Sequence, residues 1–220
     1  MPLKTFYKRW MLQGLRILFK LLYHQLAWAY DAIAWIVSFG MWKSWVFSVL
    51  PYICGKNVLE IGHGPGHLLL KLRRAGYTVI GLDESKDMGH VVVRGMLREG
   101  LDMLCVNGYA QFMPFQSNYF DTACATFPSE YIFDTQTLSE IYRVLVPGGR
   151  LVILPTAWFD DAFIPGRFVA RLFSIIGQQA QNSNGYTKLL VTSGFLVSTQ
   201  IHPLAHSSTM IIIASKPQTA

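Results

Sequence analysis

Up to about residue 50 the apolar positions of this chain recur at helical spacing, and beyond residue 57 they gather into short runs separated by amphipathic stretches. Over residues 3–22, Leu3, Trp10, Ile17, Leu18 and Leu21 share one side of a predicted helix, while Arg9, Gln13, Arg16 and Lys20 follow one another along the other. Two further helical stretches cover about 24–38 and 41–50, parted by Gly40 and stopped by Pro51. Strands are predicted at 57–61, 77–82, 102–106, 120–126 and 150–154, with helices between them at 66–75, 86–98 and 135–145. Strand and helix in alternation imply an α/β domain on a parallel sheet. The end of the chain differs: 195–202 and 208–215 are strand-like, joined by a short polar link, and predict an antiparallel hairpin.

This pattern divides the chain into a helical segment, 1–56, and an α/β domain, 57–220. Charge follows the same division. Residues 1–56 carry seven Lys and Arg against one acid, Asp31, whereas the rest of the chain is balanced, so the formal net charge of +6 belongs to the first segment. A basic surface over the whole domain, as nucleic-acid binding needs, is not expected. The run Ala32–Trp42 is uncharged over 11 residues, short of the roughly 20 that cross a bilayer. Arg16 and Lys20 interrupt what would be the apolar part of a cleaved signal. Cys54, Cys105 and Cys124 are too scattered for a disulfide framework and suit a reducing, cytoplasmic interior. The pairs His63/His67 and His202/His206 begin in a Gly/Pro loop and straddle Pro203, so no metal site is expected.

The sharpest chemical signal is Val58-Leu59-Glu60-Ile61-Gly62-His63-Gly64-Pro65-Gly66, a strand entering a glycine-rich turn ahead of a helix. Such a turn lets backbone approach a ligand and aims amide groups at an anionic part of it. A dinucleotide motif wants a small sixth residue, but counting from Gly62 that place is His67. Glu60 supplies a carboxylate for the amino group of a methionine moiety, and Asp83, 23 residues on at the end of the next strand, suits ribose hydroxyls. Ser85 can cap the following helix alone.

In VLEIGHGPG, GLDES, MPFQSNYFDTACATF and LSEIYRVLVPGGRLVIL, in that order over Asn57 to Leu154, the chain resembles class I S-adenosylmethionine-dependent methyltransferases, in particular the ubiquinone/menaquinone-biosynthesis type. The resemblance implies a Rossmann-like seven-stranded sheet, mostly parallel with a reversed last strand, with an N-terminal helical lid. It implies that Glu60, Gly62, Gly64 and Gly66 hold the methionine end of S-adenosylmethionine, that Asp83 holds the ribose with Glu84 and Met88 nearby, and that Phe127 borders the methyl group. Where such enzymes commonly read Gly-Asp-Ala, this chain has Gly108-Tyr109-Ala110. Tyr109 offers a ring in place of a carboxylate, leaving the backbone of Ala110 and Gln111 for adenine. The helical stretch Gly166 to Ile176 falls where these enzymes carry insertions over the substrate, and ordinary packing is its other reading.

Methyl transfer from a sulfonium needs orientation and exclusion of water above all. A base is needed only for some acceptors, and its candidates are Tyr30, Asp31, Glu130, Tyr131 and His202. The first helix, with Phe6, Tyr7, Trp10, Phe19 and Tyr23, suits either a lid or an anionic membrane surface at the inner face. A small hydrophobic acceptor, such as a quinone precursor or lipid, follows from the second reading. The alternatives are a nicotinamide-dependent oxidoreductase and a membrane-associated protein that binds S-adenosylmethionine without turnover.

Overall fold

The computed structural model describes residues 27–102, 104–160 and 183–218. Two helices come first, α1 (Ala27–Val37) and α2 (Trp42–Phe47), then a 3-10 turn at Leu50–Tyr52. Alternation follows: β1 (Asn57–Ile61), α3 (His67–Arg74), β2 (Thr78–Asp83), α4 (Lys86–Arg98), β3 (Leu104–Asn107) and β4 (Phe120–Thr126). A second 3-10 turn (Glu130–Phe133) leads to α5 (Thr135–Val144), β5 (Leu145–Phe159), α6 (Ser183–Thr192), β6 (Leu196–Leu204) and β7 (Ser207–Ser215). The strands form one sheet in the order β3-β2-β1-β4-β5-β7-β6. Strands β1 to β5 pair in parallel, and β7 runs antiparallel to both β5 and β6. This is the seven-stranded, mostly parallel sheet with a reversed last strand expected from the sequence.

Both faces of the sheet are covered, which is why β1 and β2 are buried almost without alternation. Val58, Val79, Cys124 and Val152 face a core made with α3, α4 and the Val46–Val49 stretch, while Leu59, Leu82, Ala123 and Leu151 face a second core with α5 and α6. Glu60 and Asp83 occupy alternate positions along β1 and β2 from Val58 and Val79, and so look toward the α3 and α4 side. Residues 45–49 share this core: Trp45, Val46 and Val49 are buried, and the Trp45 indole donates a 2.9 Å hydrogen bond to Ser207 Oγ on β7.

Three elements differ from the expectation. The predicted helix over 41–50 ends as α-helix at Phe47 and continues as a 3-10 turn around Pro51, whose missing amide cannot extend the ladder. Strand β5 starts at Leu145, opposite Phe120 of β4, and runs through Pro147-Gly148-Gly149 to Phe159, with β7 pairing from Arg150 to the end. Helix α6 has no counterpart in the sequence reading. The predicted helices at 3–22 and 166–176 lie outside the described residues.

Candidate active site

The strand ends of β1, β2 and β4 meet at the glycine turn. Gly62, Gly64 and Gly66 all have positive φ, at 71°, 51° and 81°. Only a residue without a Cβ takes this backbone at little cost. What surrounds each glycine differs. A Cβ on Gly62 would come within 2.3 Å of Tyr131 Oη, and one on Gly66 within 2.6 Å of Val92 Cγ2, whereas one on Gly64 would meet nothing within 4 Å. Gly66 precedes α3, with its amide bonded to His63 O and its carbonyl to the Leu70 amide. The turn is thus packed below at Gly66, roofed by a phenol at Gly62 and open at Gly64.

Two carboxylates lie against it. Glu60 is 1% exposed. It accepts a hydrogen bond from the backbone amide of Leu69 in the first turn of α3, a favourable place for an acid. Its Oε2 is buried without a partner. Burial first, then the nearby charge of Asp83, raises its pKa well above the usual carboxylate range. Asp83, 3% exposed, fastens the two turns together: Oδ2 accepts from the Gly64 amide at 2.9 Å and Oδ1 from the Ser85 amide at 2.8 Å. Ser85 caps α4 through the Met88 amide. Asn107, at the end of β3, donates to the carbonyls of Asp83 and Glu84 at 3.0 and 2.9 Å and sets the course of that turn.

Sequence reasoning missed His63 as part of this support. Its ring is buried under the turn, with Nδ1 2.8 Å from the Gly64 carbonyl and 4.0 Å from Asp83 Oδ2. A carbonyl can only accept, so Nδ1 carries the proton. Desolvation lowers the His63 pKa, against the opposing pull of Asp83. Gly81 makes the room: a Cβ there would stand 2.7 Å from Leu69 Cδ1 and 2.8 Å from His63 Cδ2. A cavity of about 240 Å3 beside it is lined by His63, Asp83, Ser85, Cys105 and Asn107 among others. Cys105 is held as a thiol, its pKa pushed up to about 12 by burial and then by the charges of Glu60 and Asp83.

Glu84 is exposed and Met88 fully buried on α4, and the 109–112 turn holds a buried Ala110, a half-buried Gln111 and an outward Tyr109, 63% exposed. Phe127 leaves β4 with φ of 49°, unusual for a residue with a side chain, and Trp42 stacks on its ring at 4.6 Å. Tyr131 points its hydroxyl over Gly62 and toward Ile61 O at 3.4 Å. Burial and the charges of Asp83, Glu84 and Glu60 raise its pKa, so it stays a phenol. Glu130 is exposed. Tyr30 and Asp31 belong to α1, but their side chains are outside the described residues. His202 stands apart, on β6 with Nδ1 3.2 Å from Tyr52 Oη; four strand spacings separate β6 from β1, about 19 Å at ~4.8 Å each.

A parallel sheet with a glycine turn and an acid at the ends of its first two strands defines a nucleotide-binding α/β fold of the Rossmann type. Residues 58–149 match the methyltransferase domain family model. The ubiquinone/menaquinone biosynthesis C-methyltransferase UbiE of Legionella pneumophila is 30% identical over 171 residues, 67% of this chain and 68% of that one. The demethylmenaquinone methyltransferase of Thermus thermophilus is 31% identical over 139 residues, 60% of this chain. The chain spans 63% of the length of that relative. In fold it is similar to a Haemonchus contortus phosphoethanolamine N-methyltransferase solved with phosphomonomethylethanolamine and S-adenosylhomocysteine, with a TM-score of 0.60, 18% identity, and 81% of this chain and 53% of the other covered. The chain belongs to the class I S-adenosylmethionine-dependent methyltransferase family.

Proposed function

We propose that this protein transfers a methyl group from S-adenosylmethionine to a small, hydrophobic acceptor such as a quinone precursor or lipid. The observation that carries the reading is the asymmetry of the turn: Gly64 alone of its three glycines is open, and it stands between a buried, half-unpaired Glu60 and a fastened Asp83. These residues fit the cofactor. Glu60 Oε2 suits a cationic amino group, which would restore the carboxylate charge that burial opposes. Asp83 is a buried carboxylate at the end of β2, the kind of acceptor that ribose hydroxyls require. Gly62 and Gly66 complete the methionine end, Glu84 and Met88 flank the ribose, and the backbone of Ala110 and Gln111 with the ring of Tyr109 serves adenine. Phe127 borders the reacting methyl.

When bound, the cofactor supplies a methyl group activated on a sulfonium. The chain's own part is to orient both reactants and exclude water, which is worth up to roughly 7–11 kcal/mol for well-aligned partners. Tyr131, kept protonated, acts as a hydrogen-bond donor over Gly62 and not as a base. Tyr30, Asp31 and Glu130 remain the candidates for accepting a proton from an acidic acceptor; the place of His202 across the sheet weighs against it.

Of residues 1–56, those ahead of the core residue Trp45 serve as the lid, and the basic segment 3–22, predicted helical, meets an anionic membrane surface at the inner face, where an apolar acceptor would reside. Ile36 and Phe39 on and beside α1 are exposed, at 62% and 42%, which supports an apolar contact on that side. No helix of the described residues is long and apolar enough to cross a membrane. The test is incubation with isotope-labelled methyl donor and a lipid extract: label in the organic phase is expected, and none there from protein that binds the donor overturns the acceptor class. Deletion of 1–22 should weaken sedimentation with anionic vesicles; unchanged sedimentation counts against the membrane contact.

A further inference from the structure

Beside the glycine turn, α1, α2 and the first residue of α3 enclose a cavity of about 450 Å3, lined by Ala32, Trp35, Gly40, Trp42, Lys43 and His67. We propose that this cavity is the acceptor subsite and that the acceptor is a flat apolar molecule carrying one negative charge, selected by Lys43. The inference rests on the methyltransferase reading and narrows its substrate.

Position argues for it first. His67 follows Gly66 directly, and Trp42 forms a wall of the cavity while stacking at 4.6 Å on Phe127, at the end of β4. The cavity therefore shares a wall with the end of the sheet where the cofactor residues converge. Size agrees, since small-molecule sites occupy roughly 300–1,000 Å3. Its surface is mostly apolar, with two indole rings to receive a planar body.

Charge decides the class. Among the described residues the Lys43 ammonium makes no hydrogen bond or ion pair, and the described lining residues include no acid. An ammonium at the rim of an apolar cavity gains a charge-assisted bond from an anionic ligand that it does not gain from a neutral one. A neutral lipid tail uses the indoles alone. A carboxylate, phosphate or phenolate on an aromatic body uses both features.

Two dyes that brighten in apolar surroundings separate these cases: 1-anilinonaphthalene-8-sulfonate, an apolar anion, and N-phenyl-1-naphthylamine, its neutral counterpart. They are titrated into the full chain alongside calorimetry with S-adenosylhomocysteine. The anion is expected to bind about tenfold tighter than the neutral dye. Lys43→Gln should remove that preference, leaving the neutral dye and S-adenosylhomocysteine within twofold of wild type. Ala32→Trp, at an exposed position that threatens no core, should fill the cavity and weaken both dyes while sparing S-adenosylhomocysteine. The proposal is overturned if the dyes bind equally, if Lys43→Gln leaves the anion unchanged, or if Ala32→Trp leaves both dyes unchanged. It is also overturned if Lys43→Gln weakens S-adenosylhomocysteine as much as the dye, because the ammonium then serves the cofactor's own carboxylate. Wild type that binds no S-adenosylhomocysteine fails the cofactor reading instead, and the dyes still report on the cavity.

Discussion

Gly64 and Gly66 are two residues apart in one turn, yet alanine should fail at them for different reasons. At Gly66 the new Cβ would stand 2.6 Å from Val92 Cγ2, 3.0 Å from Cγ1 and 3.3 Å from Cβ, against a buried side chain of α4 that has little room to yield. The left-handed backbone costs about 1–2 kcal/mol once a Cβ is present, and overpacking adds about 1–3 kcal/mol. The sum is about 2–5 kcal/mol, a large share of the ~5–15 kcal/mol that holds a typical domain folded. At Gly64 the Cβ would meet nothing within 4 Å, so only the backbone cost of about 1–2 kcal/mol applies. Gly64→Ala should therefore fold, but with a methyl group standing where the ligand must come closest. Urea denaturation of both variants should show Gly66→Ala to be the less stable. Calorimetry on Gly64→Ala should show S-adenosylhomocysteine affinity reduced tenfold or more, about 1.4 kcal/mol. Wild-type affinity in Gly64→Ala, or equal stability in the two variants, would refute the reasoning.

Gly62→Ala should destabilise the chain through the contact with Tyr131 Oη at 2.3 Å, and Tyr131→Phe should rescue part of that loss, since the next atom, Cζ, lies 3.4 Å away; strictly additive effects in a double-mutant cycle of denaturation midpoints would rule the contact out. Glu60 has a raised pKa in the folded chain, so the stability it contributes is full below its unfolded value of about 4.3 and is lost as pH rises through the folded value. Ligand-free Glu60→Gln, which does not titrate, should gain on wild type as pH climbs above ~4.3, and a stability difference independent of pH would contradict this. Asp83→Asn turns an amide group toward the Gly64 or Ser85 N–H in place of an acceptor; a loss of about 1–3 kcal/mol in folding is expected, with weaker S-adenosylhomocysteine binding, and retention of both would remove Asp83 from its fastening role.

Local pattern made some elements legible. The predicted bounds of β1, α4 and β4 match the structure, since an apolar run beside a glycine turn, a Ser85-capped amphipathic stretch and a β-rich run need no distant partner to be recognised. Helix α6 was illegible because its sequence begins Ser-Asn-Gly and its order comes from tertiary contact, with Leu190 buried and Tyr186 stacked on Phe133 at 3.8 Å. The length of β5 comes from pairing with β7, some 60 residues away. The same contrast holds at the site. Glu60, Asp83 and the glycines stand in motifs, whereas the Tyr131 hydroxyl over Gly62, the His63 ring against Gly81 and the Trp42–Phe127 stack join segments that no local spacing connects. Gly81 alone carried a signal, a glycine inside a strand, which marks close approach by a neighbour.

Everything in the functional reading depends on an open glycine turn, flanked by Glu60 and Asp83, receiving a sulfonium nucleoside. The direct measurement is calorimetric titration of the full chain with S-adenosylhomocysteine and, separately, with nicotinamide adenine dinucleotide. Saturable binding of the first, weakened by Gly64→Ala, with no heat from the second is the expected result; binding of the dinucleotide and none of S-adenosylhomocysteine would contradict it.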